Sequence, residues 1–595
     1  MAKKTSKKSE ATSFERLIEV GIALSAERDT SQLMETILLE AKGLSNADGG
    51  TLYLSDEVGN LKFEIMRTDS LKIAMGGTTG KKITFPPVRL FDPETGKENR
   101  ANIASSAALT GESINIPDAY DSKDYDFSGT KKFDEGTGYR SKSFLAVPMK
   151  NSQGEVIGVL QLLNAEDTKT GEVIPFGGDI QPLIEALASQ AAVALDNKQL
   201  LDAQKALLDS FIELIGSAID SKSPYTGGHC QRVPELTKML AAAACEETDG
   251  PYADFDLTED EWYELHIAAW LHDCGKVTTP EYVVDKATKL ETIYDRIHEI
   301  RTRFEVIKRE AEIEYLKAVI DGKGDTDTLR ADLDTRLAQL DDDFAFIAES
   351  NIGGEFMAPE RIERVKEIAG ITWTRTLDNR IGVAHEEKIR WDRTLAPDLP
   401  VQENLLSDRN DHIFYREEGQ AEPADDPHGF KLDMPELKFN LGEIYNLCIG
   451  RGTLTAEERF KINDHIVQTI IMLEQLPFPE HLKRVPEYAG GHHEKMDGTG
   501  YPKKLNKDDM STPAKIMAIA DIFEALTAAD RPYKLPKKLS ASVEIMSFMK
   551  KDAHIDADLF ELFLTSGVYK VYADKFLKPE QLDDVDISQY LEGDD

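Results

Sequence analysis

Cysteine is scarce in this chain. Its four cysteines, Cys230, Cys245, Cys274 and Cys448, are scattered over 595 residues without paired spacing. That excludes a disulfide-stapled scaffold and fits thiols kept reduced in a cytosol. No apolar run approaches the roughly 20 residues needed to span a bilayer. The lysine-rich start, Met1 to Lys8, lacks the apolar stretch of a signal peptide, so a cytoplasmic protein without membrane insertion is expected. Net positive charge is missing as well. A formal net charge of −38 excludes a broad nucleic-acid or anionic-membrane surface, because polyanions are repelled over most of the molecule. A small anion binds such a chain only where metals or a few placed cations reverse the charge locally.

What is present suffices for several cores: 595 residues with 41% hydrophobic content suggest roughly three or four domains. From Ser13 to Asn197 the pattern is mixed. Helical spacing over Phe14 to Leu24 and Gln32 to Leu44 precedes strand-like runs at Gly50 to Ser55, Leu61 to Thr68, Phe144 to Met149 and Val156 to Asn164. Asn151-Ser152-Gln153-Gly154 reads as the hairpin turn between the last two. Ile180 to Lys222 keeps apolar residues at helical spacing with no proline after Pro182, which predicts one long connecting helix. Its small-residue face, Ala186 to Ala194, suits a parallel homodimer, with packing back onto the chain as the alternative.

Beyond Leu207 the chain is helical again, with an interruption. Apolar residues spaced by three and four recur at Ile293, Ile297, Ile300, Phe304 and Ile307, then at Leu333, Leu337, Leu340, Phe344 and Ile347. They predict an antiparallel helical hairpin about Asp321 to Asp325. Trp373 to Lys438 is rich in charge and proline and is expected to be irregular.

Two stretches carry chemistry. His492-His493-Glu494-Lys495-Met496-Asp497-Gly498-Thr499-Gly500-Tyr501-Pro502 sets adjacent imidazoles beside a glycine-rich, proline-closed turn, where an element can fray and both rings can converge on a metal. Leu271-His272-Asp273-Cys274-Gly275-Lys276 ends the apolar run Ile267 to Leu271 with a nitrogen and oxygen donor pair. Such a pair suits a first-row metal, and its carboxylate can bridge two ions.

Together, HDCGK and HHEKMDGTGYP resemble the HD-GYP family of metal-dependent phosphodiesterases that hydrolyse cyclic di-GMP. The resemblance implies an all-α HD-superfamily catalytic domain, which here falls in two parts, 207–286 and 451–595. The block between them, 287–450, is not called for by the family pattern and is read from its apolar spacing as a mostly helical insertion that contains a hairpin over 291–348. The resemblance also implies seven metal ligands: His229, His272, Asp273, His465, His492, His493 and Asp521. His229, His272, Asp273 and Asp521 would hold one ion, and Asp273, His465, His492 and His493 the other. Some members add a glutamate four positions before the first histidine for a third ion; Tyr225 stands there, so two are expected. The family favours iron or manganese, while the mixed ligands also accept zinc or nickel. His298 competes with His465 for the middle position, but the Leu454 to Glu458 segment favours His465. His266, His385, His412, His428, His481 and His554 lack ligand-like partners.

A metal-bridging hydroxide would then attack phosphorus, giving linear pGpG or, after a second cleavage, GMP, with Asp273 and Lys276 as catalytic residues. Lys276, Tyr501, Arg531 and Lys534 are the substrate-binding candidates. Related cyclic dinucleotides such as cyclic GMP-AMP fit the same chemistry. A non-hydrolysing cyclic di-GMP receptor and a nucleotide phosphohydrolase of the wider HD superfamily are the rival readings. A protein partner at the GYP loop or the insertion is a further expectation.

The first part, 13–180, resembles a GAF sensor domain, an antiparallel sheet with flanking helices, on the runs Phe144 to Met149 and Gly158 to Asn164. A basic tail, 1–12, is expected to be disordered, and 181–222 is the signalling helix. Lys132, Phe133, Asp134 and Glu135 look like part of the motif by which some GAF domains bind cyclic nucleotides, which makes them small-molecule ligand candidates. The alternative is a solvated charged loop.

Overall fold

A computed structural model describes residues 15–27, 29–56, 58–222, 228–354, 356–417, 426–529 and 536–591. The basic tail, Tyr225, Arg531 and Lys534 lie outside these residues. The chain divides into two compact units, Met1–Leu208 and Asp209–Asp595.

The first unit is built on one antiparallel sheet. Its strands are β1 (Ala47–Ser55), β2 (Asn60–Thr68), β3 (Ile73–Gly76), β4 (Val88–Arg89), β5 (Ile114–Ile116), β6 (Phe144–Lys150), β7 (Val156–Glu166) and β8 (Val173–Ile174). They run in the order β3-β2-β1-β7-β6-β5, with β4 on β2 and β8 on β7. Side chains alternate across the sheet with the period of two that a pleated strand imposes. Leu145, Val147, Leu160 and Leu162 pack with a helix over 15–26, the helix Thr30–Ser45, and Ile184, Leu187, Ala191 and Leu195. Phe144, Ala146 and Val159 face the other way, against Ile103, Ala104 and Phe127. The expected hairpin turn is present: Asn151 Oδ1 accepts from the amides of Gln153 and Glu155, and Gly154 takes φ 84°. The helices Ile103–Thr110 and Ser128–Thr137 and the short strands β3, β4, β5 and β8 go beyond the sequence reading. Lys132 to Glu135 lie within the second of these helices, so the charged-loop alternative does not hold.

One helix, Gln181–Lys222, runs for 42 residues. In the second unit, helices His229–Glu246, Glu259–Leu271, Ala456–Glu474, Thr512–Thr527, Leu539–Lys551, Ala557–Thr565 and Val568–Phe576 enclose a core. Leu236, Leu240, Ile267, Leu473, Ile519, Phe523, Phe560 and Phe563 contribute to it. Several helix starts are written locally. Thr258 with Glu261 and Thr455 with Glu458 form reciprocal capping boxes, and Ser511 caps a helix whose first turn holds Pro513. The family-like Thr455 to Glu458 run is thus a helix start whose third residue reaches back to its cap.

The intervening segment has its own apolar cluster, in which Ile300, Phe304 and Ile307 of helix Ile297–Ile320 meet Leu340, Phe346 and Ile347 of helix Thr326–Asn351. Asp325 caps the second helix through the Thr328 amide. Trp373 to Lys438 is more ordered than composition suggests. Thr372–Arg375 pairs with Val401–Asn404, Ile413–Tyr415 pairs with Leu437–Asn440, and His385–Trp391 is helical. The segment is therefore helical with short β ribbons. Strands of three or four residues with charged members carry too little alternation to be read in advance. Among the described residues, no helix is long and apolar enough to cross a membrane.

Candidate metal centre

His272 caps the C-terminal end of helix Glu259–Leu271, and Asp273 begins the tight turn Cys274–Thr278. That turn lies against helix Ala456–Glu474. The Gly275 amide donates to Thr469 Oγ1 at 2.9 Å, and a Cβ at Gly275 would overlap the His465 carbonyl oxygen, so only glycine permits the approach. It brings Asp273 Oδ1 within 3.1 Å of His465 Nε2. The other carboxylate oxygen, Oδ2, lies 3.1 Å from His229 Nε2 and 3.3 Å from His272 Nε2. Asp521, on helix Thr512–Thr527, places Oδ1 3.2 Å from His229 Nε2. His492 and His493 follow the short helix Val485–Gly490, their ring centroids 4.1 Å apart and His493 5.1 Å from His465. All seven residues converge, with Asp273 reaching toward both sets of histidines. Donor atoms of His229, His272 and Asp273 lie within 4.8 Å of one another, as do those of His465, His492 and His493.

The imidazoles are oriented alike. Nδ1 of His272 donates to the Ala269 carbonyl at 2.7 Å, Nδ1 of His492 to the Ala489 carbonyl at 2.6 Å, and Nδ1 of His465 to the Ile462 carbonyl. Nδ1 of His229 pairs with Glu524. A proton held on Nδ1 leaves Nε2 as a lone pair, and all four Nε2 atoms turn inward, as metal-ligating histidines do. His229 and His272 bring their Nε2 atoms to 3.2 Å, an approach that needs a proton or a metal ion between them. Asp273 Oδ1, His465 Nε2 and His492 Nε2 are buried without a hydrogen-bond partner. Buried orphaned acceptors are costly. Metal cations are the partners this donor set fits.

Electrostatics agree. Burial pushes His492 down to about 4 and His493 well below the ordinary imidazole value, each helped by neighbouring imidazoles, so both rings are neutral donors. Burial works against charge on His229, but Glu524, Asp273 and Asp521 outweigh it and hold its pKa well above the usual value. A nest of carboxylates that binds a proton so strongly attracts a metal ion for the same reason. Burial would raise Asp273, yet Lys276 and His272 hold it well below the usual carboxylate range. Burial opposes charge on Lys276 as well, and Asp273 reverses that. Its Nζ lies 2.5 Å from Asp273 Oδ2.

A cavity of about 200 Å³ opens on this centre, lined in part by Arg232, Lys276, His465, His493, Tyr501 and Asp521. The Tyr501 ring stacks on His493 at 4.8 Å and 23°. Its loop is held from behind by Glu494, which accepts from the amides of Lys503 and Leu505 at 2.6 and 2.9 Å. A larger cavity of about 600 Å³, lined by Phe430, Phe439 and Phe460 among others, holds none of the seven. His298 is exposed and bonded to Arg301. Glu524 and Arg232 were not singled out from sequence. Each follows a candidate ligand by three residues on a helix, and that spacing puts it on the same face.

In the sheet unit a cavity of about 390 Å³ is lined by Tyr53, Phe63, Phe85, Phe133, Phe144 and small polar side chains, none of them charged. Of Lys132, Phe133, Asp134 and Glu135, only Phe133 lines it. Asp134 is buried and accepts from the Ser141 amide and hydroxyl and from the Tyr120 hydroxyl, each at 2.8 Å, so it braces the fold and contributes nothing to the cavity wall.

Residues 29–195 match the GAF domain family, and residues 400–559 match the HD domain family. The chain joins a GAF domain to an HD domain. His229, His272 and Asp273 precede the HD match, and their place in the centre rests on the geometry above. A 3'3'-cGAMP-specific phosphodiesterase of Vibrio cholerae is 35% identical over 116 residues, covering 20% of this chain and 26% of that protein. A cyclic di-GMP phosphodiesterase of Pseudomonas aeruginosa is 39% identical over 83 residues, covering 14% of this chain and 19% of that protein. The chain thus spans between 19% and 26% of the length of these curated relatives. The crystallographic GAF domain of an Acinetobacter phosphoenolpyruvate-protein phosphotransferase is 12% identical with TM-score 0.24, covering 32% of this chain and 98% of its own.

Proposed function

We propose that the second unit is a metal-dependent phosphodiesterase of the HD-GYP type that opens a cyclic dinucleotide, with cyclic di-GMP as first candidate and linear pGpG, then GMP, as products. The observation that carries this reading is the convergence of seven donors, with inward Nε2 atoms and orphaned acceptors at Asp273, His465 and His492. His229, His272, Asp273 and Asp521 would hold one divalent first-row ion, and Asp273, His465, His492 and His493 a second. Such a pair would supply an activated water and offset charge on the phosphoryl oxygens.

The chain's own residues do the rest. Lys276 extends from the HD turn into the cavity, and its ammonium can pass from Asp273 to a phosphate oxygen as charge grows there. Tyr501 covers His493 and limits water on that side. Burial, then Asp521 and Asp273, push its pKa up, so near neutrality it donates hydrogen bonds and is not a base. Asp273 is a ligand whose loss would disconnect the two groups. Arg531 and Lys534 remain substrate-contact candidates by resemblance.

Relatives of both substrate names make 3'3'-cyclic GMP-AMP the second candidate substrate. The GAF unit is read as a sensor whose uncharged cavity takes a small ligand. The small-residue face Ala186 to Ala194 packs back onto the sheet, with Ala188, Ala191 and Ala192 fully buried there, so the long helix is read as a homodimer contact only beyond Leu195. Leu200, Leu201, Leu207, Phe211 and Leu214 each leave more than half of their surface exposed on it. The test is anaerobic purification, metal quantification and chromatography of both dinucleotides beside Asp273→Ala. Two metals per chain with cleavage abolished in the variant is the expected result. Tight binding without product from a fully metallated protein would overturn it.

A further inference from the structure

The last turn of helix Gln181–Lys222 carries two opposite charges, and each is spent on backbone next to the centre. Lys222 Nζ donates to three carbonyl oxygens, those of Lys276 at 2.9 Å, Val277 at 2.6 Å and Thr279 at 2.5 Å. An ammonium has three N–H groups, and these acceptors use all of them. The carbonyls belong to the turn that begins at Asp273 and carries Lys276. Asp220 points the other way. Its Oδ2 accepts the Gly228 amide at 3.0 Å, and both its oxygens lie 3.3 Å from the Cys230 amide. Helix His229–Glu246 begins at Gly228, which has no side chain to cap the free amides. Asp220 supplies that cap from a different helix, with the charge a helix N-terminus favours.

One helix end thus holds both segments that feed the first metal group: the start of the His229 helix through a carboxylate, and the His272–Asp273 turn through an ammonium. Packing fixes the helix in place beside them. Ile212 and Ile219 are buried in the core of the unit, and a Cβ at Gly216 would meet the Trp270 ring at 2.9 Å. A sliding or turning of this helix end would move Lys276 and His229 together.

We propose that Lys222 and Asp220 are positioning residues for the centre: Lys222 sets the HD turn and Lys276, and Asp220 sets His229. The inference rests on the phosphodiesterase reading for its catalytic consequence, while its structural part stands alone. Lys222→Met keeps the stem and removes the three donors; Lys222→Arg restores a cation with N–H donors.

The full chain is compared as wild type, Lys222→Met and Lys222→Arg, in turnover of cyclic di-GMP and 3'3'-cyclic GMP-AMP and in amide hydrogen exchange. Lys222→Met is expected to lower kcat about tenfold or more with KM within about twofold. The amides of Gly275, Lys276 and Thr279 should exchange at least about tenfold faster, with helix Thr512–Thr527 unchanged. Lys222→Arg should recover most of both. Unchanged exchange at 275–279 in Lys222→Met, or a loss confined to KM, would overturn the proposal. If the wild type cleaves neither dinucleotide, the phosphodiesterase reading fails by itself and the exchange arm still decides the role of Lys222.

Discussion

Glu524→Gln tests the metal centre through a residue that touches no metal. The Glu524 carboxylate is 1% exposed and divided between two donors. Oε2 faces His229 Nδ1, and Oε1 accepts from Arg232 Nε at 2.7 Å. His229 and Arg232 overcome the effect of burial and hold the pKa of Glu524 down at about 2, so both oxygens are acceptors throughout the working range. Glutamine has nearly the same shape but only one acceptor oxygen. The guanidinium has no acceptor capacity and cannot give up its proton, so it claims the amide oxygen. The amide NH2 is left facing His229 Nδ1, which must then become the acceptor and move its proton to Nε2. That proton occupies the lone pair directed at Asp273 and Asp521. Losing the orienting partner of a metal-bound histidine typically costs 10–100-fold in metal affinity, about 1.4–2.7 kcal/mol. The loss should fall on the His229 group alone, because the Nδ1 donors of His465 and His492 go to backbone carbonyls elsewhere. Calorimetric titration of metal-stripped protein with Mn2+ should show two ions for wild type, and for the variant one ion of unchanged affinity plus one weakened by that factor. Two ions at wild-type affinity would refute the tautomer reasoning. Equal weakening of both would show that the groups are not separable in this way.

Three further outcomes are expected. Gly275→Ala places a methyl group on the His465 carbonyl, so the turn and helix Ala456–Glu474 must separate; a stability loss of about 3 kcal/mol or more, read by chemical denaturation, is expected, and an unchanged midpoint would contradict the close approach. Lys286→Met leaves Glu458 buried without its cation and should cost about 3–5 kcal/mol, whereas Lys286→Met with Glu458→Gln should recover part of that; additive losses would count against the pair. Leu207→Lys with Phe211→Lys should shift a dimer to monomer in light scattering with unchanged circular dichroism, and a dimer of wild-type stability would exclude the long helix as the contact.

The centre was more legible in the sequence than the surroundings that make it work. His272 with Asp273 and His492 with His493 stand next to each other in the chain, and a donor pair at the end of an apolar run is a local signal. Asp521 and His465 needed family-like motifs, because one polar residue on a buried helix face has many ordinary explanations. Glu524 and Arg232 were hidden for a different reason. Their roles depend on which face of two distant helices meet, and nothing local to either one reports that contact. The GAF sheet was legible wherever strands are long enough to alternate, as in β6 and β7. It was silent at β4 and β8, two residues each, which exist only because longer neighbours offer an edge. Asp134 shows the converse failure: a charged residue in a motif-like run was a ligand candidate, yet its oxygens are consumed by Ser141 and Tyr120.

The long interruption between the HD turn and Thr455 poses a physical question that the structure answers at its neck. A chain that leaves the centre after the HD turn and returns at Thr455 must close that loop, and the closing cost grows only as the logarithm of its length. A long insertion is therefore tolerable if its two ends are pinned. They are: Lys286, just before the segment, donates to both oxygens of Glu458 at 2.8 Å, just after it, with side chains 1% and 2% exposed. The Thr453 hydroxyl adds a bond to the Lys286 carbonyl at 3.1 Å. Glu458 also completes the capping box that starts the helix bearing His465. The same carboxylate therefore closes the neck of the segment and sets the first turn of the helix that carries His465. The segment has its own apolar cluster, from Leu290 to Leu447. The segment meets the surroundings of the centre at other points too: the Lys431 amide donates to the Pro502 carbonyl beside Tyr501 at 2.7 Å, and His428 pairs with Glu474, on the helix that carries His465, at 2.6 Å. A rearrangement within it can therefore reach the centre through that loop and that helix as well as through the Lys286–Glu458 neck.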